Sequence, residues 1–111
     1  MKMIEEERGS VVVIRMNGKL LGGPDSEAFQ KQMKDYVAQG RNNILIDLSK
    51  VSWVNSTGLG MLIAAYHTVK SAGGKFKLTG VNQRIEQIFM VTKLHTIFDT
   101  YEEEAAALAS F

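Results

Sequence analysis

Two adjacent hydroxyls followed by a glycine step, Asn55-Ser56-Thr57-Gly58-Leu59-Gly60, carry more chemical potential than any other stretch of this chain. Asn, Ser and Thr are favoured at helix N-caps, so capping alone accounts for one of these side chains. Two hydroxyls and Gly58-x-Gly60 exceed that need, and glycine lets another backbone come close. A helix N-terminus also offers unpaired N–H groups and partial positive charge, which suit an anion. The stretch is not a nucleotide loop, since it lacks both a Walker-type Gly-Lys-Ser/Thr and a Gly-x-Gly-x-x-Gly fingerprint. Asn55-Ser56-Thr57 matches a glycosylation sequon as well, which has no use in a chain that stays in the cytoplasm.

No second constellation competes. His67 and His95 stand 28 positions apart with no Cys and no carboxylate at ligand spacing, so a metal site is not expected and His67 reads as a surface residue. Ser56 and His67 make no hydrolase, because the Gly-x-Ser-x-Gly elbow is missing. Asp47 is read as bonding to nearby backbone. Trp53, in the loop beside Ser56, is read as a core anchor, with a docking aromatic as the alternative. Arg41, Lys50 and Lys70 are read as solvated charges, as are the acidic runs Glu5-Glu6-Glu7 and Glu102-Glu103-Glu104. Neither catalytic residues nor a cofactor site is expected, and the chain is not read as an enzyme.

The whole sequence supports a binding role. Its 111 residues suit one domain, 1–111, and 45% apolar against 23% charged residues suits a packed core. Thirteen Lys and Arg against 12 Asp and Glu leave no net field to draw nucleic acid or an anionic membrane. Without cysteine there is no disulfide and no thiol chemistry. The N-terminus has no apolar signal region, and the uncharged run from Val51 to Val69 is too polar to span a bilayer. A soluble, cytoplasmic protein is expected.

The elements that position the hydroxyls follow from period and punctuation. Gly9-Ser10 pairs Met3–Arg8 with Val11–Met16 as a hairpin, and Val11-Val12-Val13-Ile14 suits a strand buried on both faces. Pro24 opens a helix that Gly40 stops. Ile44-Leu45-Ile46-Asp47-Leu48 reads as the central strand. A second helix runs from about Ser56 to Ala72 and ends at Gly73-Gly74. Phe76 and Leu78 alternate with Lys75, Lys77 and Thr79, which predicts a strand with one wetter face. Asn82 caps a short helix. Ile97-Phe98 is a candidate last strand, and Thr100 with Glu103 forms a candidate capping box before a terminal helix. The order β-β-α-β-α-β-α-β-α implies an α/β fold with a mixed, mostly parallel central sheet flanked by helices.

With Leu59, Leu62, Ile63, Tyr66 and Val69 inward, the second helix turns Gly60, Met61, Ala64, His67, Thr68 and Ser71 outward. An exposed helix normally carries Lys and Glu there. Either another element covers this face, or a partner docks on it. We take the second reading, with Asn55, Ser56, Thr57, Gly58, Gly60, Met61, Ala64, His67 and Thr68 as the contact set.

Asp47-Leu48-Ser49-x-Val51, then Asn55-Ser56-Thr57-Gly58-Leu59-Gly60-x-Leu62, then Gly73-Gly74-Lys75-Phe76-x-Leu78-x-Gly80-Val81 resemble the signature of STAS domains of the anti-sigma factor antagonist type. The likeness extends from Val11-x-x-Ile14-x-x-x-Gly18-x-Leu20 to the terminal helix. It implies a partner-switching cycle. The unphosphorylated antagonist binds an anti-sigma factor that is also a serine kinase of the histidine-kinase-like ATPase type. Phosphorylation on the serine matching Ser56 (Thr57 is the second candidate hydroxyl) releases it, and a PP2C-type phosphatase restores it. Phosphorylated members usually carry Asp before the serine, where this chain has Asn55. That difference motivates an alternative, a non-phosphorylated STAS scaffold or transporter-associated subunit.

Overall fold

The computed structural model describes residues 1–111. Strand β1 (Lys2–Arg8) turns through Gly9 at φ 61° into β2 (Val11–Leu20), giving an antiparallel hairpin with Arg8 opposite Val11. Helix α1 (Pro24–Ala38), β3 (Asn43–Val54), α2 (Ser56–Ser71), β4 (Lys75–Thr79), α3 (Gln83–Val91), β5 (Asp99–Tyr101) and α4 (Glu104–Ala109) complete the order expected from the sequence. Pro24 is the first residue of α1, and Asn82 Oδ1 caps α3 by accepting from the Ile85 amide at 2.9 Å. Between α3 and β5 a single 3-10 turn, Leu94–Thr96, carries the chain down. Ile97-Phe98 is not a strand. Phe98 belongs to the core under that turn, and the ladder starts one residue later.

The sheet order is β1-β2-β3-β4-β5, with β2 to β5 all parallel. Each βαβ crossover therefore steps in the same direction. Right-handed crossovers that never reverse place α1, α2 and α3 on one face of the sheet. That face holds a 23-residue core in which Val12, Ile14, Ile44, Ile46, Phe76 and Leu78 meet Phe29, Met33, Leu62, Val69, Ile85 and Phe89. Burial of each such side chain contributes about 1.5–3 kcal/mol. The opposite face is thin. Only α4 covers it, over a cluster of Val11, Val13, Leu45 and Ala107.

Ion pairs replace apolar cover over the rest of the second face. The Arg15 fork grips both carboxylate oxygens of Glu104 and also donates to Glu6 Oε2 at 2.9 Å and Asp47 Oδ2 at 2.8 Å. Asp47 Oδ1 accepts from the Ser49 amide at 2.9 Å, the local backbone bond expected of it. Burial works against the Asp47 charge, but the Ser49 amide and the Arg15 guanidinium outweigh it and hold its pKa low. On the helix-bearing side of β1, Glu5 accepts from the Tyr36 hydroxyl and from Arg41 at 3.1 Å. The tyrosine bond depresses Glu5, while burial, reinforced by Glu5, raises Tyr36. Arg41 also reaches Glu7 and lies 4.9 Å over the Tyr36 ring. Arg41, the first acidic run and Glu104 are thus wired into the fold, not simply solvated, while Glu102 and Glu103 stay exposed.

Three further expectations change. Lys77 is buried and not on a wet face: its Nζ donates to the carbonyl and hydroxyl of Ser110 and sits 4.9 Å over the Phe111 ring. Thr100 is part of β5, and Glu103 stands at the N-cap of α4 without a side-chain capping bond, so no capping box forms. Trp53 is 39% exposed, not a core anchor. Strand β3 carries two register shifts against β2, after Asp47 and after Val51. The first flips the alternation and turns Val51 inward; the second flips it back, so Val54 is inward and Trp53 out, as the alternation of Ile44, Ile46 and Leu48 already places them.

Candidate functional site

The start of α2 is set by Asn55. Its extended backbone (φ −103°, ψ −178°) and side chain make it the N-cap, with Oδ1 accepting from the Gly58 amide at 2.8 Å. Its own amide donates to the Leu20 carbonyl at 3.2 Å, which ties the cap to the end of β2. The capping role is thereby filled before either hydroxyl is reached. Ser56 and Thr57 both face solvent as the first two helical residues.

Two close approaches hold this tip. Gly58 is buried against the Leu20 carbonyl, where a Cβ would collide with backbone. The Thr57 methyl occupies the place a Cβ would take on Gly22, which has φ +82°. Ser56 directly precedes both braces. The first turn of α2 contains no acidic residue, so the positive pole of the helix is not neutralised by its own side chains.

The structure gathers most of the expected contact set on one surface. Ser56, Thr57, Gly60, Ala64 and His67 are exposed, while Asn55 and Thr68 are half-buried. Thr68 Oγ1 accepts from Gln30 Nε2 at 2.6 Å, so it is partly spent on α1. Gly58 is covered by β2. Met61 is the correction that matters: it is 4% exposed, not outward. The buried row of α2 is Gly58, Leu59, Met61, Leu62, Ala65 and Val69, and Ile63 and Tyr66 are only half-buried. Helix α1 packs alongside α2 and rotates the buried stripe toward Met61 and Ala65. On the other flank Tyr66 meets Phe76 and Phe98 edge-on.

Between α1 and α2 lies a shallow open groove of about 530 Å³. Gly60 and Ala64 form part of its lining, and Ser26, Lys31 and Lys34 of α1 stand along the other side. The strand order never reverses between β2 and β5, so no switch-point crevice opens beside Ser56. The site is a surface and not a cleft. No three His, Asp or Glu side chains converge on it or elsewhere to hold a metal ion. No helix of the chain is long and apolar enough to cross a membrane.

Two large apolar residues outside the expected contact set stand exposed near the tip of α2. Leu21 is 47% exposed at the end of β2, and Trp53 lies exposed near the end of β3. The register pairs Lys19 with Trp53 and Leu20 with Val54, so both residues lie near the strand ends that lead into the cap of α2, with Trp53 turned toward Arg84, Gln87 and Ile88 of α3. The Arg84 guanidinium of α3 lies 5.8 Å over the Trp53 ring, and Asn82 Nδ2 donates to the Val51 carbonyl at 3.1 Å. Leu21 carried a signal: it follows an inward leucine and precedes Gly22-Gly23, so alternation turns it out. Trp53 carried one as well: the alternation of Ile44, Ile46 and Leu48, continued along the strand, turns it out.

Comparison with known proteins agrees with this architecture. A family model described as the STAS domain matches residues 2–107. A Thermotoga neapolitana protein provisionally named an anti-sigma factor antagonist is 35% identical over 98 residues, 87% of each chain. The anti-sigma F factor antagonist of Paenibacillus polymyxa is 26% identical over 106 residues, 95% of this chain and 89% of that one. The crystal structure of a protein from Thermotoga maritima, also provisionally named an anti-sigma factor antagonist, superposes with a TM-score of 0.88 at 26% identity. It covers 97% of this chain and 92% of its own. By its matched length, its strand order and its helix-tip hydroxyls, the chain belongs to the STAS domain family.

Proposed function

We propose that this chain is an anti-sigma factor antagonist whose grip on its partner is switched at Ser56. The observation that carries the reading is the Ser56 hydroxyl itself: solvent-exposed, relieved of capping by Asn55, and set at the head of the exposed, low-charge face of α2. The unphosphorylated surface, with Gly60, Ala64 and His67 behind the serine and Leu21 and Trp53 beside it, binds an anti-sigma factor that is also a serine kinase of the histidine-kinase-like ATPase type. Thr68 lies at the edge of that contact, Thr57 and Asn55 at its head, and Gly58 and Met61 support it from beneath.

The switch is electrostatic. The kinase transfers the γ-phosphoryl group of ATP to Ser56 Oγ; the bond to ADP breaks, and the hydroxyl proton leaves to the kinase. The product gains about −1.5 to −2 charges. At the positive pole of α2 that charge is tolerated, so the domain stays folded. In a low-charge interface it is not, and a loss of about 3 kcal/mol weakens binding more than a hundredfold. A PP2C-type phosphatase then hydrolyses the ester to serine and inorganic phosphate. Thr57 is the weaker acceptor, because its methyl is engaged with Gly22. The chain acts as one domain, residues 1–111, in the cytoplasm, with no catalysis of its own and no contact with nucleic acid or membrane.

The test is intact mass after incubation with ATP and the kinase. One phosphoryl group is expected on the wild type and on Thr57→Ala, and none on Ser56→Ala. An unchanged wild-type mass rejects the switch. The neutral Asn55 favours a second reading, a constitutive scaffold or transporter-associated subunit. In that case Ser56→Ala and Ser56→Asp bind a partner equally well.

A further inference from the structure

The two faces of the sheet are secured very differently. Against the 23-residue core under α1, α2 and α3, the α4 face has four buried residues, and Ala107 is the only one contributed by α4. Helix α4 has six residues, far below the length at which a helix is stable by itself, and Glu103 gives its N-cap no side-chain bond. Half-buried Leu108 and Phe111 add modest apolar cover, and two polar clasps sit at its ends. Glu104 is clasped by the Arg15 fork at the start, and the carbonyl and hydroxyl of Ser110 take the Lys77 ammonium at the finish.

We infer that residues 102–111 form a detachable strap, a segment that lifts as a unit from the sheet while β1 to β4 and the three core helices stay folded. Lifting uncovers Val11, Val13 and Leu45, a continuous apolar strip from β2 into β3, with the Lys77 ammonium beside it. The loss on opening is the Ala107 contact, the half-buried Leu108 and Phe111 side chains and two polar clasps, whereas unfolding the sheet costs the whole principal core. Segments with few buried apolar contacts open below the global transition. The strip lies on the face opposite α2, so its exposure is independent of the surface around Ser56 and of the reading given to it.

Amide hydrogen exchange on the full chain in graded, sub-denaturing urea tests this. The Ala107 and Ser110 amides, which bond to Glu103 and Ala107 carbonyls, are expected to exchange at least about tenfold faster than those of Ile44 and Ile46, with little urea dependence. Glu104→Gln frees one clasp and speeds the α4 amides a further roughly two- to fivefold while leaving Ile44 and Ile46 at wild-type rates. Ser110→Ala, which removes the hydroxyl half of the other clasp and leaves the carbonyl bond, gives the same pattern with a smaller acceleration. If the α4 and β3 amides share one urea slope and both variants move them equally, the segment opens only with the whole molecule and there is no strap.

Discussion

The Cα of Gly58 rests against the backbone carbonyl of Leu20, so the first turn of α2 is pressed onto the end of β2. No side chain fits there, whereas Gly60, half a turn on, has no atom within 4 Å of a built Cβ. Gly58→Ala is therefore expected to destabilise the chain by about 1–3 kcal/mol through overpacking. Gly60→Ala is expected to stabilise it by about 0.4–1 kcal/mol by restricting the unfolded chain. Urea midpoints of the two variants check this, and equal shifts of the same sign contradict the close approach.

Because the cap comes from Asn55, the neighbouring serine is free of structural duty. Asn55→Ala should cost about 1 kcal/mol, and Ser56→Ala should stay within about 0.5 kcal/mol of the wild type. Asn55→Asp keeps the capping oxygen and adds a charge at the positive pole, a gain of about 0.3–1 kcal/mol. Thermal melts of the three variants separate these outcomes. A large loss in Ser56→Ala would mean that the hydroxyl is a structural cap.

Leu21 and Trp53 are exposed near the strand ends that lead into the cap, so their removal should spare the fold and harm association. Leu21→Ser and Trp53→Ala are each expected to weaken kinase binding by about 1–2 kcal/mol, roughly five- to thirtyfold, in calorimetric titration. Unaltered affinity with both variants would move the contact away from this side of Ser56.

Stability should fall at both ends of the pH scale for identifiable reasons. Glu5, Glu6 and Asp47 have folded pKa values below their ordinary ones, so the unfolded chain binds more protons as acid is added. Their contribution is complete above the ordinary carboxylate range and is lost as pH falls below about 4. Arg15→Gln should flatten that acid limb. Tyr36 shifts upward, so its contribution is full below about pH 10 and declines above it, and Tyr36→Phe should remove that alkaline loss. Urea midpoints across pH measure both limbs.

Much of this was legible in the residues themselves. Element order, the hairpin, the start of α1 at Pro24, the cap at Asn82 and the start of α2 at Ser56 depend on neighbours within a few positions, and such signals survive in a single sequence. What the sequence hid depends on distant parts of the chain. Met61 is buried because α1 leans on one flank of α2, and that tilt has no local mark. Val51 points in because β3 takes an extra residue against β2 after Asp47. Lys77 is buried because α4 and Phe111 return over it. Glu104 and Glu6, which looked like members of solvated acidic runs, are held by one arginine from β2.

The position of β1 at the rim of the sheet has a consequence for how copies of this protein coexist at high concentration. Its outer backbone groups have no partner strand, and an unprotected rim invites another chain to add on. Here the rim carries Glu5-Glu6-Glu7, so a second copy approaching in register brings glutamate onto glutamate. Such stacking is repulsive, and the same three residues that anchor Tyr36, Arg41 and Arg15 inside one molecule guard against fibrillar growth between molecules.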